Sequence, residues 1–184
     1  MIPIMSDTLA PLFKVGERRL IEAGTHFFHS GDAVRHMFLV VAGAVVLTRV
    51  TGAGAPVILQ RARPGAVLAE ASAYSRAYHC DAHAVTEALV CAVTVEEFRA
   101  RLATDPGLAD SWAAHLAHAV QSARLRAEIR TLRTVAERLE AWLGEGRAMP
   151  AKGAWQYLAA ELGVSREALY RELSRRRLTD SRSR

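Results

Sequence analysis

Up to about residue 95 the apolar positions fall in short runs broken by turn formers, and beyond it they recur at helical spacing. Phe27 and Phe28 precede the turn Ser30-Gly31-Asp32. Apolar runs at 37–41 and 44–50 flank Ala42-Gly43, which reads as a hairpin. Thr51-Gly52-Ala53-Gly54 breaks the chain before a run at 57–62, and Arg63-Pro64-Gly65 turns it again. A further pair of strands falls near 78–85 and 89–95. Short strands at this spacing predict an all-β sandwich or barrel, and no internal repeat is visible.

The helical part opens with Thr94-Val95-Glu96-Glu97, a capping box in which threonine oxygen and glutamate carboxylate satisfy each other's backbone donors, ahead of Phe98 and Leu102. Asp105 is a good N-cap and Pro106 suits the first helical position, so a long helix is predicted from there. Trp112, Leu116, Ala119, Ala123 and Arg126 alternate by four and three residues, the spacing of a coiled-coil seam. The competing reading is an amphipathic helix lying on the β domain. Thr134-Val135-Ala136-Glu137 is a second capping box, opening a helix that carries Leu139, Trp142 and Leu143 into another core and stops at Gly144 and Gly146.

Residues 155–174 carry the most specific pattern, a helix-turn-helix. Ala159 is small where two helices must touch, and Gly163 accepts the tight turn. Leu158, Leu162, Val164 and Leu169 are placed to pack the helices together, and Ser165 is a natural N-cap for the second. At about 100° per residue, Arg166, Glu167, Tyr170, Arg171 and Ser174 share an arc of about 140°. Arginine can grip guanine O6 and N7, and glutamate can accept from the cytosine amino group, so this face suits the major groove of double-stranded DNA. A solvent-facing helix with a Glu167 to Arg171 pair is the bland alternative.

Composition adds a direction. At 184 residues, 51% hydrophobic and 23% charged, the chain can bury a sizeable core and fits one compact domain, or two small ones closely joined, rather than a fragment. The apolar run at 37–47 is well short of the roughly 18 residues a membrane-spanning helix requires, and no charged-then-apolar leader opens the chain, so no membrane partner is expected. Cys80 and Cys91 are too few for a disulfide framework, which fits a cytoplasmic home. The net charge of +5 is uneven: residues 1–123 hold 10 Lys and Arg against 11 Asp and Glu, and residues 124–184 hold 14 against 8. The surplus surrounds the helix-turn-helix pattern, as a polyanion partner would need.

With these motifs in order, nearly the whole chain resembles the Crp/Fnr family of bacterial transcription regulators. The resemblance implies an α+β chain: an N-terminal double-stranded β-helix (jelly roll) sensor of the cyclic-nucleotide-binding type at 1–104, a dimerisation helix at 105–133 and a helix-turn-helix DNA-binding domain at 134–184. It implies a non-enzymatic homodimer on a palindromic site, with RNA polymerase as a further partner if the protein activates. Ser165-Arg166-Glu167 and Arg171 look like the family's recognition signature, in which arginines contact guanine and glutamate contacts cytosine. Tyr170 shares their face, and Arg175, Arg176, Arg177, Arg182 and Arg184 are expected to touch phosphate. They would stand in for the usual β-hairpin wing, because only the polar Thr179-Asp180-Ser181-Arg182-Ser183-Arg184 follows Leu178.

The sensor half departs from the family's cyclic-AMP binders. Where those carry a glycine-glutamate pair and, about ten positions on, an arginine and a small hydroxyl residue, this chain runs from Ala69-Glu70 to Tyr78-His79. No guanidinium is aligned to offset a buried phosphate, Arg76 being out of register. Ala123 and Arg124 stand where the cyclic-AMP activator presents hydroxyls to adenine. Glu70, Tyr78, His79, Ala123 and Arg124 are therefore the candidate lining of a pocket for an effector other than cyclic AMP. His79, Asp81 and His83 point one way if 79–83 is a strand, a candidate divalent-metal face, with Cys80 on the other side and His26, His29 and His36 elsewhere in the β domain. Haem through His79, His83 or Cys80 is conceivable, whereas two cysteines cannot hold an ordinary iron–sulfur cluster. His115 and His118 read as exposed pH-sensitive side chains on the long helix. The reading from another class is a metal-binding cupin-like β-barrel protein or enzyme, which would leave the basic helix-turn-helix without a purpose.

Overall fold

A computed structural model describes residues 8–182 apart from Thr51, Ala53, Ala55, Arg147 and Ala151, with the side chains of Pro56, Ala154, Tyr157 and residues 177–182 outside the description. The strands are β1 (Glu17–Ile21), β2 (His26–Phe28), β3 (His36–Ala42), β4 (Val45–Val50), β5 (Pro56–Ala62), β6 (Val67–Leu68), β7 (Asp81–Ala84) and β8 (Ala88–Thr94). They form two four-stranded sheets of order β1-β8-β3-β6 and β2-β7-β4-β5, with antiparallel pairing throughout. This is the jelly roll of an α+β chain.

The hairpin expected around Ala42-Gly43 does not form. β3 pairs with β8 and β6, whereas β4 pairs with β5 and β7, so the chain crosses between sheets at Gly43. The crossing demands glycine: φ is +81°, and a Cβ there would lie 2.2 Å from the Glu87 carbonyl oxygen. The strand pair near 78–85 and 89–95 splits in the same manner, β7 into one sheet and β8 into the other. β4 and β5 make the true hairpin, Val45 opposite Ala62 and Val50 opposite Pro56. β1, too rich in Glu and Arg to read as a strand, runs along β8 from Glu17 opposite Ala92 to Ile21 opposite Ala88.

Met37, Val40, Val45, Val67, Leu68, Ala82, Ala84 and Val90 are buried in one core with Leu12 and Phe13 from a 3₁₀ turn at Ala10–Phe13. Helix α1 (Val95–Thr104) starts at the expected capping box, with Glu97 N–H donating to Thr94 Oγ1 at 3.2 Å and Thr94 N–H to Glu97 at 3.2 Å. It seals the core with Phe98, whose ring meets Trp112 edge-on at 5.0 Å.

Trp112 lies on α2 (Pro106–Thr131), N-capped by Asp105 through a 3.1 Å bond from Leu108 N–H. The expected coiled-coil seam began at Trp112, but that ring is only 3% exposed and Leu116 packs on the same β core. The chain divides into two compact units within α2, Met1–Leu116 and Ala117–Arg184.

The second unit contains the rest of α2, α3 (Val135–Gly144), α4 (Trp155–Leu162) and α5 (Arg166–Arg182). Thr134 and Glu137 complete the second capping box. Ile129, Leu139, Trp142, Trp155, Leu158, Ala159, Leu162, Leu169 and Leu173 make its core. α4 and α5 are joined through Gly163, at φ +66°. α5 runs on as one helix to Arg182, the last of the described residues.

Candidate nucleic-acid interface and effector pocket

α5 begins at Arg166 because Ser165 caps it, its hydroxyl accepting from Ala168 N–H at 3.1 Å. Leu169 and Leu173 anchor one side in the core, which turns Arg166, Glu167, Arg171 and Ser174 to solvent. Neither Arg166 nor Arg171 forms an ion pair among the described residues. The Glu167 carboxyl is held below the usual carboxylate range by its own backbone N–H and the Ser165 hydroxyl, so it is an ionised acceptor at neutral pH. Two shallow grooves flank the ridge. One, of about 270 Å³, is lined by Lys152, Gly153, Gln156, Arg166 and Tyr170; the other, of about 360 Å³, includes Thr134, Arg171 and Arg175.

Tyr170 is half-buried, its ring edge-on to Trp155 at 5.0 Å and beneath the Arg166 guanidinium at 5.4 Å. Arg175 chelates Glu172 through Nε at 3.0 Å and a terminal nitrogen at 2.8 Å. Arg176 was expected at phosphate, yet each of its nitrogens already donates within the fold: to Glu172 at 2.8 Å, Glu140 at 2.6 Å and the Ala136 carbonyl at 3.1 Å. It fastens α5 to α3. The Arg175 and Arg176 bonds in turn keep the Glu172 carboxyl below its ordinary range. The side chains of Arg177, Arg182 and Arg184 lie outside the described residues.

Arg138 went unnoticed in the sequence. It donates to the Arg130 and Leu132 carbonyls at the end of α2 and to the Leu162 and Gly163 carbonyls at the α4–α5 turn, at 2.9–3.1 Å. These are orphan acceptors of two helix C-termini, which one cation satisfies together. The only signal was an arginine beside Leu139 on an otherwise apolar helix face.

In the first unit Ala69 adopts left-handed φ +55° and leads into a 3₁₀ turn, Glu70–Ser72. Glu70 is half-buried. Tyr78 is a core residue, not an accessible pocket wall. Its ring stacks on Phe28 at 3.7 Å, and its hydroxyl donates to the His36 carbonyl at 2.6 Å. Burial pushes the phenol upward. His79 is exposed, with Nδ1 2.9 Å from the oxygen of fully buried Ser72. Ala123 and Arg124 are exposed on the part of α2 that belongs to the second unit.

The metal face of His79, Asp81 and His83 does not assemble, because β7 begins only at Asp81 and leaves His79 off the strand. Asp81 instead accepts from Ser30 N–H at 2.9 Å and lies 3.3 Å from His29 Nδ1. His83 sits by the His26 ring, 5.3 Å between centroids. No group of three or more His, Cys, Asp or Glu able to hold a metal occurs among the described residues. Cys80 is fully buried, and that burial pushes its thiol up to about 11.

Residues 18–105 match the cyclic nucleotide-binding domain family. FixK2 from Bradyrhizobium japonicum is similar over 90% of this chain and 86% of its own, at TM-score 0.70 and 19% identity. The fold is Crp/Fnr-like. The same Crp/Fnr-like fold is found in the c-di-GMP-responsive global regulator CLP of Xanthomonas campestris, with TM-score 0.66 and 18% identity over 95% of this chain and 93% of that one. It is found too in the catabolite activator protein of Thermus thermophilus, with TM-score 0.56 and 24% identity over 94% and 84%. No protein curated for function matches the sequence. No described helix is long and apolar enough to cross a membrane.

Proposed function

We propose that this Crp/Fnr-like chain is a cytoplasmic, sequence-specific DNA-binding transcription regulator without enzymatic activity. Residues 1–104 serve as sensor, 105–133 as dimerisation helix and 134–184 as helix-turn-helix domain. The carrying observation is the ridge of α5. Arg166, Glu167 and Arg171 project to solvent from a helix locked by Leu169 and Leu173, with no ion pair to hold either arginine among the described residues. A rigid helix presenting two guanidinium groups and a carboxylate fits guanine and cytosine edges in the major groove.

Pairing through α2 would set two such helices about one DNA turn apart, giving a palindromic site. Trp112 is committed to the β core, so the seam shifts by one residue from the sequence expectation. Ala113, Ala117, Val120, Arg124 and Ala127 are exposed at spacings of four and three, and Val120 is 49% exposed. The effector is not cyclic AMP: the cassette offers His79 bonded to Ser72 where a phosphate would need arginine. RNA polymerase is a partner if the protein activates.

Selection of bound duplexes from a random pool, with and without cell extract or added metal ions, tests this reading. Two inverted half-sites in the enriched pool are expected. A pool with no enrichment under any condition removes the reading.

A further inference from the structure

We infer that Tyr170 is a positioning residue that aims Arg166 at its base, rather than a base contact itself; the inference rests on the DNA-binding reading of α5. Arg166 is the first residue of its helix, so no preceding turn restrains its long side chain. Four residues on, Tyr170 occupies the neighbouring place on the same face. Its ring lies 5.4 Å below the guanidinium carbon.

The ring is itself held. Trp155 meets it edge-on at 5.0 Å, is only 7% exposed, and donates from Nε1 to the Pro150 carbonyl at 3.0 Å. A relay of fixed groups thus runs from the loop before α4, through two aromatic rings, to one exposed cation. Lys152 and Gln156 line the groove beside this pair.

A cation held over a ring face suits the task. An aromatic ring attracts the cation through its face, while the N–H donors of guanidinium lie in its plane and stay available for guanine O6 and N7. Side-chain freedom that would otherwise be lost on binding is already restricted before the duplex arrives. No hydrogen bond to the Tyr170 hydroxyl occurs among the described residues, so the ring, and not the phenol, is the operative group.

The test compares wild type with Tyr170→Phe, Tyr170→Leu, Arg166→Ala and the Tyr170→Leu/Arg166→Ala pair, each titrated with the selected duplex and with duplexes changed at single base pairs. Tyr170→Phe is expected to match wild type. Tyr170→Leu is expected to lose about two- to fivefold of the discrimination at the one pair where Arg166→Ala loses it, and nothing further in the double variant. Equal loss in Tyr170→Phe and Tyr170→Leu would instead show a hydroxyl contact; uniform loss across duplexes would show a phosphate contact. Either overturns the inference, as does unchanged discrimination in Tyr170→Leu while Arg166→Ala loses it.

A readout without DNA guards against misfolding of the leucine variant. In protein NMR spectra the Arg166 Cδ protons should be shifted upfield by the ring in wild type and Tyr170→Phe, and their absence from that position overturns the cation–ring contact. If the wild type prefers no duplex, the DNA reading fails and takes the inference with it, even where the shift is present.

Discussion

The two units differ in where their polar groups are spent. In the β unit the candidate effector residues Tyr78 and His79 and the candidate metal ligand Asp81 are bonded within the fold: Tyr78 to the His36 backbone, His79 to Ser72, Asp81 to Ser30 and His29. In the helical unit Arg176 and Arg138 are bonded inward as well, but Arg166, Glu167 and Arg171 face out from a locked helix. Polar groups already satisfied within a fold are architecture, whereas those held rigid and left to water are what a ligand meets. Under the proposed function the ridge of α5 would be the output surface, and the cassette that departs from the cyclic-AMP pattern would be the input site.

The comparison breaks first if Tyr78 is a ligand contact. As a stacked core residue, Tyr78→Ala should lower stability by about 3 kcal/mol in denaturant unfolding. A variant of wild-type stability that has lost its response to effector would reverse the assignment. Next, Arg176→Ala should lower stability by about 2 kcal/mol, because it leaves the Ala136 carbonyl without its charged donor, Glu172 with Arg175 alone, and α5 without its tie to Glu140 on α3. Its effect on DNA should follow that loss of folding; a shallower salt slope with unchanged stability would restore it to the phosphate contacts.

Arg166→Ala should do the converse, removing about 1–3 kcal/mol of specific affinity while stability stays within about 0.5 kcal/mol of wild type. The smallest effect concerns pH. Burial, and after it Arg19, hold His36 below the usual histidine range. The unfolded chain therefore takes up a proton that the native state refuses, and stability declines as pH falls through about 6.5. His36→Gln should flatten that decline in unfolding midpoints measured between neutral pH and pH 5; an unchanged slope would assign it to other groups.

Local chemistry was legible in the sequence and long-range partnership was not. Both capping boxes, the Asp105 cap and the packing of Leu158, Leu162 and Leu169 depend on neighbours within a few residues, and each is found in place. The false hairpin at Gly43 shows the limit. Turn chemistry states that the chain reverses, but the partner of β3 is β8, about fifty residues away, and only the paired sheets determine that. Trp112 misled for a similar reason: several stripes on one helix share a four-three spacing, and the choice depends on the core beneath. At the candidate site the face of α5 followed from helical geometry alone. The inward duties of Arg176 and Arg138 depend on α3 and α4, elements distant in sequence that no periodicity connects.

The most direct test of the central claim is equilibrium binding of the wild-type protein, near physiological ionic strength, to a selected duplex and to the same duplex with one half-site scrambled. Recognition by two paired α5 helices predicts a preference of at least about a thousandfold for the intact site, carried by a dimer. Equal affinity for both duplexes, or a monomer on each, would contradict it.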